Sequence, residues 1–151
     1  MRPTVQEQLL GTCRILEKLV SPCVADPYAR TILEGLIGNL RMLTSALPAV
    51  PSFLNSDNGA TAELLKQLQS IVAPDLASSI ALALGQPEPD ATDMAALEQR
   101  NCELREIFSQ ALCNTDLTPE LRSAALAHMT TRSARAPMRY VPTNSSPVKA
   151  I

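Results

Sequence analysis

The chain has 151 residues and a formal net charge of −2, and 46% of its residues are hydrophobic, although only two are Phe, two are Tyr and none is Trp. This composition supports a single aliphatic core and lacks the basic field typical of nucleic-acid-binding domains. No apolar run approaches the ~18 residues of a membrane span, and the polar start MRPTVQEQ lacks a signal-peptide core. We therefore expect a cytoplasmic protein with no nucleic-acid or membrane partner.

Helical periodicity dominates the chain, and prolines divide it into segments with little strand signal. A first helix is predicted over residues 3–20, because a proline at its first position is favourable there. A second is predicted over residues 27–47, because Asp26 is a good N-cap and the following proline suits the first turn. Pro48 and Pro51 then predict a loop.

In the second half of the chain, capping residues, prolines and a glycine again mark the predicted helix ends. A third helix, capped by Ser56 or Asp57, is predicted to reach about residue 72, and a short fourth one to run from residue 74 to Gly85. Acidic capping candidates at Asp90 and Asp93 precede a long fifth helix, predicted over residues 92–113. The pair Thr118-Pro119 predicts the start of a sixth helix that ends near residue 133.

These elements predict an all-α protein, an up-and-down helical bundle of five to six helices that forms one domain over residues 1–134. Residues 135–151 are predicted to be an extended, Pro-rich, basic tail that is flexible. Its cations, together with Arg132 at the end of the sixth helix, either dock on an acidic partner or remain solvated.

The stretch ILEGLIGNLRML in the second helix is unusual, because two glycines and an asparagine interrupt an apolar arc that covers well over half the helix. Such a helix is usually central and contacted on two sides. A glycine inside a helix costs about 1 kcal/mol relative to alanine, so Gly35 and Gly38 are predicted to permit close helix packing or, alternatively, to open a slot for a ligand. A buried, unpaired amide at Asn39 would cost about 1–3 kcal/mol, so we expect Asn39 either to have a polar partner or to face a wet environment.

That partner is predicted on the fifth helix, where Arg100 and Asn101 project into an apolar face. Together with Asn39, and joined by Asn58 and Arg105, they form a candidate ligand- or partner-binding constellation. Two interpretations stay open. One is an internal polar network that fixes helix register, with Arg100 paired to a carboxylate such as Glu34 or Glu98. The other is the floor of an anion-accepting or partner-facing groove.

Motifs for catalysis are absent from the sequence. It contains no phosphate-binding glycine loop, no nucleophile elbow, no C-x-x-C pair and a single histidine, His128, which we expect to be packed or half-exposed. A serine or cysteine nucleophile would need a base nearby. We therefore predict no catalytic residue, no metal and no cofactor.

A family resemblance rests on the segment RPTVQEQLLGTCRILEKLVSP followed by LIGNLRMLTSAL. This opening resembles that of small all-helical bacterial proteins that begin with R-P-T, continue with an amphipathic helix ending in L-E-x-x-V-x-P, and carry a central Asn in the next helix. The resemblance covers about the first 47 residues, while the segment 85–134 and the tail are additional. The matching residues are Arg2, Pro3, Thr4, Glu17, Pro22 and Asn39.

Members of that family are linked with aminoglycoside-phosphotransferase-like kinases and acyl-CoA dehydrogenases, and some are non-catalytic partners of kinases that phosphorylate hydroxyacyl-CoA. The resemblance therefore implies an accessory or scaffold protein that binds a larger enzyme such as one of these kinases. The alternative function is a helical bundle that binds a small acyl or anionic ligand, with Arg100 holding its carboxylate or phosphate. A homodimer is compatible with both functions.

Overall fold

The computed structural model describes residues 3–137, and these residues form α-helices, short π- and 3₁₀-helical turns and no strand. The prediction of an all-α protein is confirmed. The chain divides into two compact units, of which the first includes residues 3–48 and the second is Ala49–Ala136. The boundary at Pro48 lies inside the region 1–134 that the sequence predicts as one bundle domain.

The first unit is built from two helices, α1 (Val5–Ile15) and α2 (Pro27–Ala46). A π-helical turn, Leu16–Val20, and a 3₁₀ turn, Ser21–Cys23, follow α1. The helix therefore changes form before Pro22, whose missing N–H and ring cannot continue a regular ladder.

Side-chain caps fix the starts of both helices. The Thr4 hydroxyl accepts from the Glu7 N–H (3.1 Å), and the Glu7 carboxylate accepts from the Thr4 N–H (2.7 Å), which completes a capping box. The prediction that Pro3 is the first helical residue is therefore wrong, because the chain enters the helix at Thr4. Asp26 caps α2 as predicted and accepts from the Ala29 N–H at 2.7 Å.

The second unit contains four helices: α3 (Val50–Leu68), α4 (Pro74–Leu84), α5 (Met94–Asn114) and α6 (Pro119–Arg135). The loop predicted around Pro48 and Pro51 is wrong, since Pro51 lies in the first turn of α3, where a missing N–H costs nothing. Asp93 caps α5 and Thr118 caps α6, as predicted. The earlier start of α3 places Ser56 and Asp57 within the helix instead of at its cap.

Helix directions in the second unit follow from side-chain packing. Leu54 of α3 packs with Leu97 of α5, and the helices stay together up to Leu68 and Ala111, so α3 and α5 run in the same direction. On α6 the order is reversed, because His128 meets Thr61 whereas the later Arg132 meets the earlier Asp57. The aliphatic core lies among these helices and consists of Leu64, Leu65, Leu68, Ile80, Ala83, Leu104, Phe108, Ala111 and Ala125.

Within residues 3–137, no helix combines the length and apolar character that crossing a bilayer would require. The predicted flexible tail, with Arg139, Tyr140 and Lys149, lies outside the described residues apart from its first three positions.

Candidate functional site

A group of six polar side chains, here called the polar cluster, joins three helices inside the second unit. Its members are Asp57, Asn58 and Thr61 of α3, Asn101 of α5, and His128 and Arg132 of α6. The first four are buried, and the two α6 side chains reach in from the edge. Buried polar groups must be hydrogen-bonded to be tolerated, and these side chains largely satisfy one another.

Asn101 is the centre of the polar cluster. Its amide nitrogen donates to Asp57 Oδ2 (2.7 Å) and to Asn58 Oδ1 (2.8 Å), and its carbonyl oxygen accepts from Arg132 Nη2 (3.3 Å). Arg132 Nε also pairs with Asp57 Oδ2 at 3.1 Å. Asn58 then donates to the Leu97 carbonyl at 3.1 Å. One asparagine thus links a carboxylate, an amide and a guanidinium, which fixes the register of three helices.

Thr61 and His128 form a contact between α3 and α6. The Thr61 hydroxyl donates its one hydrogen to the Asp57 carbonyl (2.8 Å), so it can only accept from His128 Nε2, which lies 3.1 Å away. This contact suits the ring tautomer that has its hydrogen on Nε2. Phe108 meets the same ring edge-on, with centroids 5.8 Å apart, so the histidine is packed, as the sequence predicts.

A threonine, a histidine and an aspartate within one cluster suggest a catalytic triad, but the geometry differs from one. In a triad the two ring nitrogens face the nucleophile and the acid separately. Here the same nitrogen, His128 Nε2, faces both Thr61 at 3.1 Å and Asp57 Oδ1 at 3.9 Å. The Thr61 hydroxyl is also buried and committed to a backbone carbonyl. The arrangement is suited to holding helices together and not to activating a nucleophile.

The pKa of Arg132 in the polar cluster is lowered from its ordinary value. Burial lowers the pKa of its guanidinium, the Asp57 carboxylate opposes that change, and the nearby Arg105 lowers the pKa further. An arginine stays charged at neutral pH despite such a shift. Arg105, a cation of the same unit, thus acts in the same direction as burial on the pKa of Arg132.

The structure separates the predicted site residues into different environments. Asn58 and Asn101 meet in the polar cluster, as the hypothesis of a polar network requires. Arg100 is 3% exposed, but its Nε and Nη1 atoms have no hydrogen-bond partner among the described residues. Among residues 3–137 its guanidinium forms no salt bridge, so the predicted pairing with Glu34 or Glu98 is wrong. Arg105 is exposed on α5.

In the middle of α2, the polar partner predicted for Asn39 and the close packing predicted at the glycines are not found within residues 3–137, and Asn39 faces solvent, as the alternative prediction has it. Asn39 is exposed and belongs to the first unit, so it is not a buried amide that needs a partner. Gly35 and Gly38 are also exposed, and a Cβ added at either would meet no atom within 4 Å outside its own helix backbone, among the described residues. The close helix packing predicted there is therefore not found.

Sequence reasoning missed four members of the polar cluster. It predicts Asp57 to be a cap and Arg132 to be part of a basic terminal region, and it gives Thr61 and His128 no site role. A signal is present in the spacing, because Asp57 and Thr61, like His128 and Arg132, are four residues apart and share a helix face. Recognising Pro51 as a first-turn proline would have extended α3 and revealed this face.

A second feature is a row of exposed apolar side chains along α2, here called the α2 stripe. It consists of Tyr28, Ile32, Leu36, Leu43 and Leu47, the last of which is the C-cap of the helix. At ~100° per residue these side chains fall on one side of the helix, with Asn39 among them. All five are exposed, from 41% at Leu47 to 75% at Tyr28. The adjoining face, around the buried Ile37 and Thr44, is turned toward the interior of the first unit, where α1 packs on α2. The apolar arc of α2 is therefore wider than the part that is covered.

No cluster of His, Cys, Asp or Glu side chains suited to hold a metal ion occurs within the described part of the chain. No protein-family model, curated protein or solved structure matches the chain with significance.

Proposed function

We propose that the protein is a non-catalytic accessory protein that binds a larger enzyme through the α2 stripe. The single observation that carries this proposal is the distribution of exposed apolar side chains. Among the described residues, eleven of the fifteen large exposed hydrophobic side chains lie between Val5 and Leu47. Large contiguous apolar surface of this kind is typical of protein interaction sites.

The geometry of α2 favours a protein partner over a small ligand. A convex helix face with residues at spacings of four and seven suits an apolar groove or a second helix, as in helix-in-groove recognition. Tyr28 supplies an aromatic anchor, a residue type that is enriched in binding hot spots. Asn39 lies among the aliphatic side chains and would set the register of the bound partner, as a single polar residue does in helix pairing.

The family resemblance supplies the class of partner in this proposal. The matching residues Arg2, Pro3, Thr4, Glu17, Pro22 and Asn39 all belong to the segment that contains α1 and α2. We therefore propose an aminoglycoside-phosphotransferase-like kinase that acts on acyl-CoA substrates as the partner.

A co-purification with matched variants tests the proposal. The tagged full chain should recover a stoichiometric kinase-like protein from its native lysate, and the double variant Ile32→Ser/Leu36→Ser should lose it. The control is Leu82→Ser, because Leu82 is 74% exposed on α4, outside the first unit. Loss of two central hydrophobic contacts should weaken binding by at least about 100-fold, or ~2.7 kcal/mol.

Three results would contradict this function. One is that the wild-type chain recovers no stoichiometric protein. Another is that the double variant and the control bind equally well. The third is that light scattering shows a homodimer that the double variant dissociates, which would assign the α2 stripe to a second copy of the chain. A stoichiometric partner of another class would retain the accessory role and remove the kinase from it.

A further inference from the structure

A cleft between α5 and α6 combines cationic and apolar walls inside the second unit. It has a volume of about 160 Å³. Arg105 and Ser109 of α5 and Arg132 of α6 line it, and Thr61 of α3 contributes to the lining. The apolar part of the lining is formed by Phe108, Leu112 and Met129.

The cationic side of the cleft has an unbalanced charge. Arg132 is paired with the Asp57 carboxylate, whereas Arg105 forms neither a salt bridge nor a side-chain hydrogen bond within residues 3–137. Arg105 also lies close enough to contribute to the lowered pKa of Arg132. Two guanidinium groups therefore line one cleft, only Arg132 is paired with a carboxylate, and the two like charges repel each other. An anion placed between them would remove that repulsion and accept hydrogen bonds from both.

Free donors remain for such an anion. Arg132 uses Nε for Asp57 and Nη2 for Asn101, which leaves Nη1 without a hydrogen bond in the described residues. Ser109 is exposed beside Arg105, and its hydroxyl forms no hydrogen bond there either. The polar cluster behind the cleft holds Arg132 in place, so this donor is positioned before any ligand arrives, which reduces the entropic cost of binding.

We propose that this cleft binds a small amphipathic anion, with a carboxylate or phosphate head between Arg105 and Arg132 and a short apolar chain against Phe108, Leu112 and Met129. This inference is independent of the docking role of the α2 stripe and uses other residues. The cleft is several times larger than the ~30 Å³ share of one water molecule and smaller than the ~300 Å³ of typical drug-sized pockets. It suits a head group with a short chain, or one end of a longer molecule.

A titration of the full-length, ¹⁵N-labelled chain with four probes tests the site. Hexanoate and hexyl phosphate distinguish the two head groups, hexanol has the chain without the charge, and inorganic phosphate has the charge without the chain. We expect saturable chemical-shift changes at cleft residues with one or both amphipathic anions. Hexanol and inorganic phosphate should each bind at least about tenfold more weakly, because each lacks one half of the interaction.

The decisive variant is Arg105→Gln, because the side chain is exposed and its removal leaves the polar cluster intact. It should weaken binding of the preferred anion about tenfold or more, the effect of losing one charge-assisted hydrogen bond. Lys66→Gln is the control, since Lys66 is an exposed cation on α3 that pairs with Glu63 and does not line the cleft. The double variant Ile32→Ser/Leu36→Ser should bind the anion as tightly as the wild type, which separates this site from the docking role.

The proposal is overturned if neither amphipathic anion produces saturable shifts at the cleft, if hexanol binds as tightly as the anions, or if Arg105→Gln leaves the affinity unchanged. Equal weakening by Lys66→Gln would also overturn it, because the effect would then come from net charge and not from the cleft.

Discussion

The second unit holds charged and amide side chains in its interior, whereas the first unit leaves several aliphatic side chains of α2 in solvent. Both arrangements are costly by themselves. The polar cluster offsets its desolvation with hydrogen bonds among Asp57, Asn101 and Arg132. The α2 stripe has no comparable compensation among the described residues.

Under the proposed function, this difference separates the residues that stabilise the fold from those that bind a partner. Substitutions in the polar cluster should change the free energy of unfolding, because every member has a partner on another helix. Substitutions in the α2 stripe should change binding and leave stability nearly unaffected. Replacing an asparagine in the polar cluster and one among the α2 stripe residues therefore compares the two regions directly in their effect on stability.

The largest effect is expected for Asn101→Ala in comparison with Asn39→Ala. Asn101→Ala removes the hydrogen bonds to Asp57, Asn58 and Arg132 and leaves buried groups unpaired, which should cost about 2–3 kcal/mol. Asn39 is exposed, so its replacement should change stability by less than about 0.5 kcal/mol. Urea denaturation followed by circular dichroism measures both, and equal losses in the two variants would remove the distinction between the units.

Arg100→Leu is expected to raise the free energy of unfolding, the opposite of the effect of Asn101→Ala. The guanidinium of Arg100 is buried, and its Nε and Nη1 atoms lack partners within the described residues, so the wild-type protein retains the full cost of desolvating them. Replacement of a buried charge by a hydrophobic residue is often stabilising, and we expect a gain of about 1–2 kcal/mol in the same denaturation experiment. A loss of stability would instead indicate that an acceptor satisfies Arg100.

The smallest effect concerns pH and the start of α1. Two hydrogen bonds lower the pKa of the Glu7 carboxylate below its ordinary value of about 4.3. The larger effect comes from the Thr4 N–H and the smaller one from the Thr4 hydroxyl. Because the folded pKa is the lower one, this stabilisation is complete above the unfolded pKa and is lost as the pH falls through the folded value. The wild type should exceed Glu7→Ala in stability at pH ~7, and the difference should shrink at pH ~2.

The difference in stability between the wild type and Glu7→Ala at each pH contains its own control. The pKa values of Asp90 and Glu120 are also lowered by hydrogen bonds, and both proteins lose those contributions alike in acid. A difference between wild type and Glu7→Ala that stays constant with pH would show that helix propensity, and not the capping carboxylate, separates the two proteins.

Most helix starts could be predicted from local chemistry, because a cap and a first-turn proline act within a few residues. Asp26, Asp93 and Thr118 all cap their helices as the sequence predicts. The start of α3 was missed because Pro51 is equally compatible with a loop and with a first turn, and no side-chain cap identifies the helix at Ala49.

The candidate site was less predictable, because its contacts join residues that are distant in sequence. Periodicity predicts the apolar arc of α2 correctly. It does not distinguish an apolar face that is buried from one that is exposed, so it does not predict the exposure of Asn39. Asn58 and Asn101 were identified as polar residues on apolar faces. Their partner Asp57 was not, because an error in one helix boundary changed its role.

The wide sequence separation within the polar cluster has a consequence for synthesis on the ribosome. Thr61 and His128 are 67 positions apart, whereas the bond from Gln6 to the Thr44 carbonyl spans only 38. Chains emerge N-terminal end first, at about 5–20 residues per second. The α1–α2 pair can therefore assemble while translation continues, and its bare aliphatic face is available to a chaperone or to a cognate protein before α6, with His128 and Arg132, has left the exit tunnel. If the α2 stripe binds a partner as proposed, a nascent chain would meet that partner before its second unit has folded.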